Sequence, residues 1–175
     1  MSASLIEYGI DFPAFLAGFA HAADLPYLAG VATVDRFWSE AHIARDEPRL
    51  AARQVTRLSV KILGRSVLRP HASARWRWFP EQPNATLWQA NRAPQGEMLN
   101  EYAWHGEGIL LARPGSEVTH RKFDLPGVAF LDACAQGRPA DKATLAALQA
   151  DEKTDLAALM SSLLEAGAFT GIFVL

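Results

Sequence analysis

Two β-rich runs, Gly108 to Arg113 and Glu117 to Phe123, are separated only by Pro114-Gly115-Ser116. Proline and glycine at such a junction set the backbone for a tight turn, so the two runs form a hairpin. The segments downstream must then pack against that hairpin. Asp124 with Pro126 reads as a helix start, Val128, Phe130, Leu131 and Cys134 give the helix an apolar stripe, and Gly137 ends it. A second short helix spans Asp141 to Gln149. In a third, Leu156, Leu159, Met160, Leu163 and Leu164 recur at helical period until Gly167. The stretch from Phe169 to Leu175 is β-branched and aromatic and reads as a returning strand.

Upstream of the hairpin the pattern is mostly helical. Pro13 suits the first turn of a short helix over Phe12 to Phe19, and Asp24 with Pro26 opens a longer one in which Tyr27, Leu28, Val31, Val34, Phe37, Trp38 and Ile43 share a face. Asp46 and Pro48 resemble another cap and first turn, which predicts a helix to about Leu58 with Arg49, Arg53 and Arg57 along one side. From Ser59 to Leu68 the apolar residues flank Gly64, as in a strand with a bulge or bend. The expected class is α+β: helices over residues 1–58, then over residues 59–175 a winged-helix-like small antiparallel sheet with three short helices. Together they make one compact unit.

Composition narrows the chemistry. Cys134 is the sole cysteine, which excludes a disulfide framework and fits a reducing, cytoplasmic setting. Its place on an apolar stripe points to a core role. Glu7 and Asp11 interrupt the apolar stretch from Leu5 to Phe19, against a cleavable signal, and no window has the length of a membrane span. The five histidines, at 21, 42, 71, 105 and 120, do not pair on a helical turn, and no phosphate-loop, dinucleotide or nucleophile-elbow motif is present. The sequence therefore carries no visible catalytic or metal set of its own.

It does carry cations and aromatics in an uneven pattern. Between Asp35 and Arg92 there are eleven basic residues against five acidic ones, whereas Asp124 to Glu165 has seven acidic against three basic. Thirteen of the seventeen basic residues are arginine, which favours paired contacts with carboxylates or phosphates. Arg75-Trp76-Arg77-Trp78-Phe79 interleaves the two kinds, and a short helix from Ala85 to Asn91 comes after a turn at Pro80 and Pro83. Such a strip suits a protein interface or a stacked nucleobase; alternatively Trp76 and Trp78 lie on one strand face and fill the core.

Leu25-Pro26-Tyr27-Leu28, His71 to Pro80 with Leu87-Trp88-Gln89-Ala90-Asn91-Arg92, Arg113-Pro114-Gly115 through Val118 to Phe123, and Leu163 to Gly167 together resemble a known family. It comprises the C-terminal region of the HvfC-like proteins, whose N-terminal half is labelled a putative DNA-binding domain, and the short methanobactin biosynthesis subunits of the MbnC type. The likeness runs from Ser4 onward. Longer members carry a helical domain ahead of this region, of which Tyr8 to Leu16 is an echo, so the short form leans toward the methanobactin type.

The resemblance implies a heterodimer with a triosephosphate-isomerase-barrel protein of the MbnB type that binds two or three iron ions; no cofactor is implied for this chain. The implied complex uses dioxygen to convert cysteines of a small precursor peptide into oxazolone and thioamide groups, and the small subunit stabilises the barrel and receives the leader of the peptide. On that expectation Ile109, Leu111, Arg113, Glu117, Val118, His120 and Arg121 pair with the leader, and Arg75, Trp76, Trp78, Phe79, Trp88, Asn91 and Arg92 meet the barrel. Two alternatives compete. One is a winged-helix DNA-binding regulator, disfavoured by a net charge of -2 and by the acidic run over the downstream helices. The other is a self-sufficient enzyme with His105, His120 and a carboxylate around one metal.

Overall fold

The chain is mixed α+β, and its computed structural model describes residues 9–92 and 103–174. Pro13 in the first turn starts α1 (Phe12–Gly18), and a 3₁₀ turn at Ala20–Ala22 leads to the long helix α2 (Leu28–Ile43). Thr33, Val34, Phe37 and Ala41 of α2 face inward at the three-to-four-residue spacing of an amphipathic helix.

Two expectations fail in the segment after α2. The helix predicted from Asp46 to Leu58 is confined to α3 (Ala52–Thr56), and residues 45–50 run as an irregular strap. The strap is held by distant partners. Leu50 donates its backbone N–H to the Phe169 carbonyl at 2.8 Å, and the Pro48 carbonyl accepts from the Thr170 hydroxyl at 2.8 Å. The Glu47 carbonyl lies 2.9 Å from His71 Nε2. Arg49 therefore does not share a helix face with Arg53 and Arg57. The strand predicted from Ser59 begins instead as α4 (Val60–Gly64), because the Ser59 hydroxyl caps it by accepting from the Ile62 N–H.

The strands form two small antiparallel sheets. β1 (Ser66–Pro70) pairs with β5 (Phe169–Val174), Leu68 opposite Ile172. β2 (Arg75–Phe79), β3 (Glu107–Ala112) and β4 (Thr119–Phe123) form the other sheet with β3 in the middle, Trp76 opposite Leu110 and Leu110 opposite Arg121. The predicted hairpin is β3–β4. The returning strand joins β1 rather than the hairpin, so the winged-helix-like sheet is divided in two. Pro94 and Gly96 predict a turn ahead of a run from Leu99 to His105; that turn, residues 99–102 of the run and Leu175 lie outside the described residues.

Helix α5 (Asn84–Ala90) comes after β2, and three helices come after the hairpin: α6 (Leu125–Ala135), α7 (Ala140–Ala150) and α8 (Leu156–Glu165). The Asp124 carboxylate caps α6 by accepting from the Gly127 N–H, and Asp155 caps α8 by accepting from the N–H groups of Ala157 and Ala158. Gly137 and Gly167 take the positive φ of helix-ending residues, at 71° and 70°.

Two apolar clusters lie on opposite faces of the three-stranded sheet. Phe130, Leu131, Leu163 and Phe169 build one, joined by Leu110, Leu50 and Val55. Val34, Phe37, Phe79 and Trp88 build the other, joined by Ile109 and Leu111. Successive residues of β3 thus enter different cores, which is why the strand reads as an unbroken apolar run without alternation. Residues from both sides of position 58 share each cluster. Among the described residues no helix is long and apolar enough to cross a membrane.

Candidate peptide-docking edge

Strand β4 is the outer strand of its sheet: β3 pairs with it on one side, and among the described residues no strand pairs with the other. Thr119, His120, Arg121 and Lys122 are exposed along it. An outer strand offers its free N–H and C=O groups to an added extended chain, and its side chains decide what that chain carries. Here the side chains are cationic and polar, and the strand is flanked by two different surfaces.

The first flank is an aromatic and cationic stack. Trp88, from α5, is 3% exposed; its ring meets Trp38 of α2 with centroids 5.6 Å apart and His120 of β4 edge-on at 5.3 Å. The Arg92 guanidinium lies over both indoles, 4.3 Å from the Trp38 centroid and 4.8 Å from that of Trp88, with Asp35 at 3.4 Å. Desolvation beside Trp88 lowers the His120 pKa first, and the Arg92 charge lowers it further. The imidazole is thus held toward its neutral form, with its ring set edge-on to the Trp88 indole.

The second flank is an open groove of about 690 Å³ between the hairpin and the start of α8, lined by Trp78, Glu107, Lys122, Phe123, Asp155 and Leu159 among others. Glu107, 6% exposed, is fixed at its base. The Thr86 hydroxyl and N–H donate to its two oxygens at 2.6 and 2.9 Å, and Lys122 Nζ lies 3.3 Å from Oε1. Burial pushes the Glu107 pKa up, yet the Thr86 and Lys122 contacts outweigh it and hold the group below its ordinary value. The other carboxylates on the walls serve the backbone: Asp124 and Asp155 cap helices, and Asp151 accepts from the Lys153 N–H at 2.9 Å.

The residues predicted to pair with a leader divide into usable and unusable sets. His120 and Arg121 stand on the edge, Arg121 donating to Glu165 Oε2 at 3.2 Å, and Glu117 is exposed in the turn ahead of it. Ile109 and Leu111 do not: β3 is flanked on both sides, and both side chains are fully buried in the second core. Val118 is buried there too. Arg113 is committed to the fold, donating to the carbonyls of Ala41 and Ala44 and to Asp46. It anchors the hairpin on the end of α2. Beside it, Ser73 Oγ accepts from the Arg113 N–H at 2.7 Å and lies 2.8 Å from His71 Nδ1. Because the Glu47 carbonyl opposite Nε2 can only accept, His71 carries its proton on Nε2.

The residues predicted to meet a barrel do not form one surface. Arg75 donates to Glu40 at 2.6 Å and to the Ala72 and Ala74 carbonyls, Phe79 is buried, and Trp88 is buried against His120. Trp76 and Trp78 point to the opposite face of the sheet, where Trp76 packs on the first core and donates its indole N–H to Asp132 at 2.8 Å. Asn91 Nδ2 donates to the Leu87 carbonyl. What the fold does bring together is Trp88 and Arg92 with His120, along with Trp38 and Asp35; sequence reasoning assigns neither of these two to the site, nor Lys122 on the groove side of β4. Period-two alternation from His120 to Lys122 is the available signal for Lys122.

His105 lies 3.9 Å from Glu107 in the groove, whereas His120 packs on Trp88, and among the described residues no three His, Cys, Asp or Glu side chains are grouped to hold a metal. Burial pushes the Cys134 thiol up to about 12. No protein-family model matches the chain, and no curated protein matches it.

Proposed function

We propose that this chain is a docking subunit that receives an extended, acidic segment of a cysteine-containing precursor peptide along β4 and holds it for an iron-dependent barrel enzyme of the MbnB type, in a cytoplasmic complex. The observation that carries the reading is the cationic outer strand set between the Trp38–Arg92–Trp88 stack and the groove beside Glu107. Strand addition supplies main-chain affinity without a preformed cavity. Lys122, which also donates to the Thr86 hydroxyl, and Arg121, which also donates to the Ser162 carbonyl, lie 3.3 and 3.2 Å from Glu107 and Glu165 and provide charge that a peptide carboxylate shares. The groove accommodates a bulky side chain at the Phe123 end of the added strand.

Two measurements test this. Co-expression with the barrel protein should give a co-purifying pair, and adding the precursor peptide should slow amide hydrogen exchange across residues 119–123. A chain recovered alone as a monomer, with β4 exchange unchanged by the peptide, refutes the reading.

A further inference from the structure

Away from β4, a slot of about 450 Å³ opens between α1, α2, β2 and the start of α5. Small residues pave it, namely Ala14, Ala17, Ala29 and Gly30, and Arg36, Arg77 and Asn84 stand among its polar lining with Asp11, Thr33 and Gln82. Asn84 is the unusual member. It is 2% exposed, and among the described residues its side-chain oxygen Oδ1 has no hydrogen-bond partner. A buried amide oxygen left unpaired is uncommon and destabilising, and it calls for an explanation.

The explanation cannot be that the site is loosely packed, because the sequence makes room for this amide. A Cβ on Gly30 would stand 2.4 Å from Asn84 Cγ, Oδ1 and Nδ2 alike. Only a glycine in the body of α2 lets the amide lie flat against the helix, and glycine there weakens the helix relative to alanine. Two unfavourable features thus meet at one point, and among the described residues the close packing brings Oδ1 no hydrogen bond. A ligand that donates a hydrogen bond to Oδ1 satisfies the orphaned atom and accounts for both.

The charges in the slot define the rest of that ligand. Arg36 is engaged with the Ile10 carbonyl at 2.9 Å and with Glu40. Arg77 is exposed over the Phe79 ring, and among the described residues no carboxylate lies within ion-pair distance of it. It is the group placed to take an anion. Asp11 lines the same slot, and its charge weighs against a dianion such as phosphate. The small side chains of the floor admit a compact molecule.

We propose that this slot binds a monocarboxylate with an N–H donor on the adjacent carbon, as in a free N-acyl amino acid or the C-terminal residue of a peptide. The carboxylate meets Arg77, the N–H donates to Asn84 Oδ1, and a small side chain rests on Ala14, Ala17 and Ala29.

The test uses the full chain and four probes: N-acetyl-L-alanine, its C-terminal amide, tetra-alanine with a free carboxylate, and tetra-alanine amide. Amide-detected NMR titration should show saturable shifts of the Asn84 side-chain N–H₂ signals with both acids and neither amide. Tighter binding of the tetrapeptide assigns the slot to a chain terminus, and equal binding assigns it to the free acid. Arg77→Ala, a surface change, should weaken acid binding about tenfold, the loss of one charged hydrogen bond. Gly30→Ala should abolish it by displacing Asn84. If Gly30→Ala fails to fold, Arg77→Ala and the amide probes still decide. Absence of a saturable shift with either acid, equal binding of the amides, or undiminished binding by Arg77→Ala overturns the proposal.

Discussion

Replacing Arg92 with alanine removes three contacts at once, and the structure sets what that should cost. The guanidinium lies 4.3 and 4.8 Å from the Trp38 and Trp88 centroids; at a partly exposed site each such contact contributes about 0.5–1 kcal/mol. The Asp35 pair, at 3.4 Å between two exposed side chains, adds about 0.2 kcal/mol. Arg92→Ala should therefore destabilise the fold by about 1–2 kcal/mol. For a chain of this size that lowers the melting temperature by roughly 2–8 °C. The same change has a second, independent readout. The His120 pKa is depressed by desolvation and additionally by the Arg92 charge, so in Arg92→Ala it should rise toward its ordinary value while burial still keeps it below. Following the His120 ring proton by NMR from pH 8 to pH 5 reads that shift directly. An unchanged melting temperature together with an unmoved His120 titration would refute the stacked arrangement.

Three further outcomes are expected. Since the folded-state pKa of Glu107 is depressed, its contribution to stability is complete above the unfolded carboxylate value of about 4.3 and is lost as pH falls toward the folded value. Urea melts should show Glu107→Gln less stable than the parent by about 1–3 kcal/mol at pH 7 and the gap closing in acid. Gly167→Ala places a β-carbon at φ 70° and 2.4 Å from Pro114 Cβ, so thermal melting should report a loss of at least about 1 kcal/mol. Cys134, with its thiol raised to about 12, should stay unreactive toward a disulfide reagent at pH 8 in the native state and react at once in denaturant; rapid native labelling would contradict its burial.

Much of the second half is legible in the sequence because its signals are local. Asp124, Asp155, Gly137 and Gly167 each cap or end a helix through atoms within a few residues, and Pro114-Gly115 makes the turn between β3 and β4. The strap at residues 45–50 is not, because Asp46 and Pro48 imitate a helix start, while the bonds that decide its path go to His71, Phe169 and Thr170. The docking edge is half legible for a related reason. Alternation along a strand shows which residues share a face, but not which strand of a sheet is outermost. In sequence Ile109 and Leu111 look as available as His120 and Arg121, and only the pairing of β2 with β3 removes them. The Arg75-to-Phe79 strip misleads in the same way, since its five side chains divide between the two faces of the sheet.

The position of β3 between two cores carries a mechanical consequence. Leu110 points one way and its neighbours Ile109 and Leu111 the other, so sliding this strand by a single residue would swap the occupants of both interiors and leave neither filled. The hairpin is consequently clamped in register from both sides, which keeps its rim aligned. A segment laid along that rim braces the helices above the sheet and those below it together, because both rest on the same six residues.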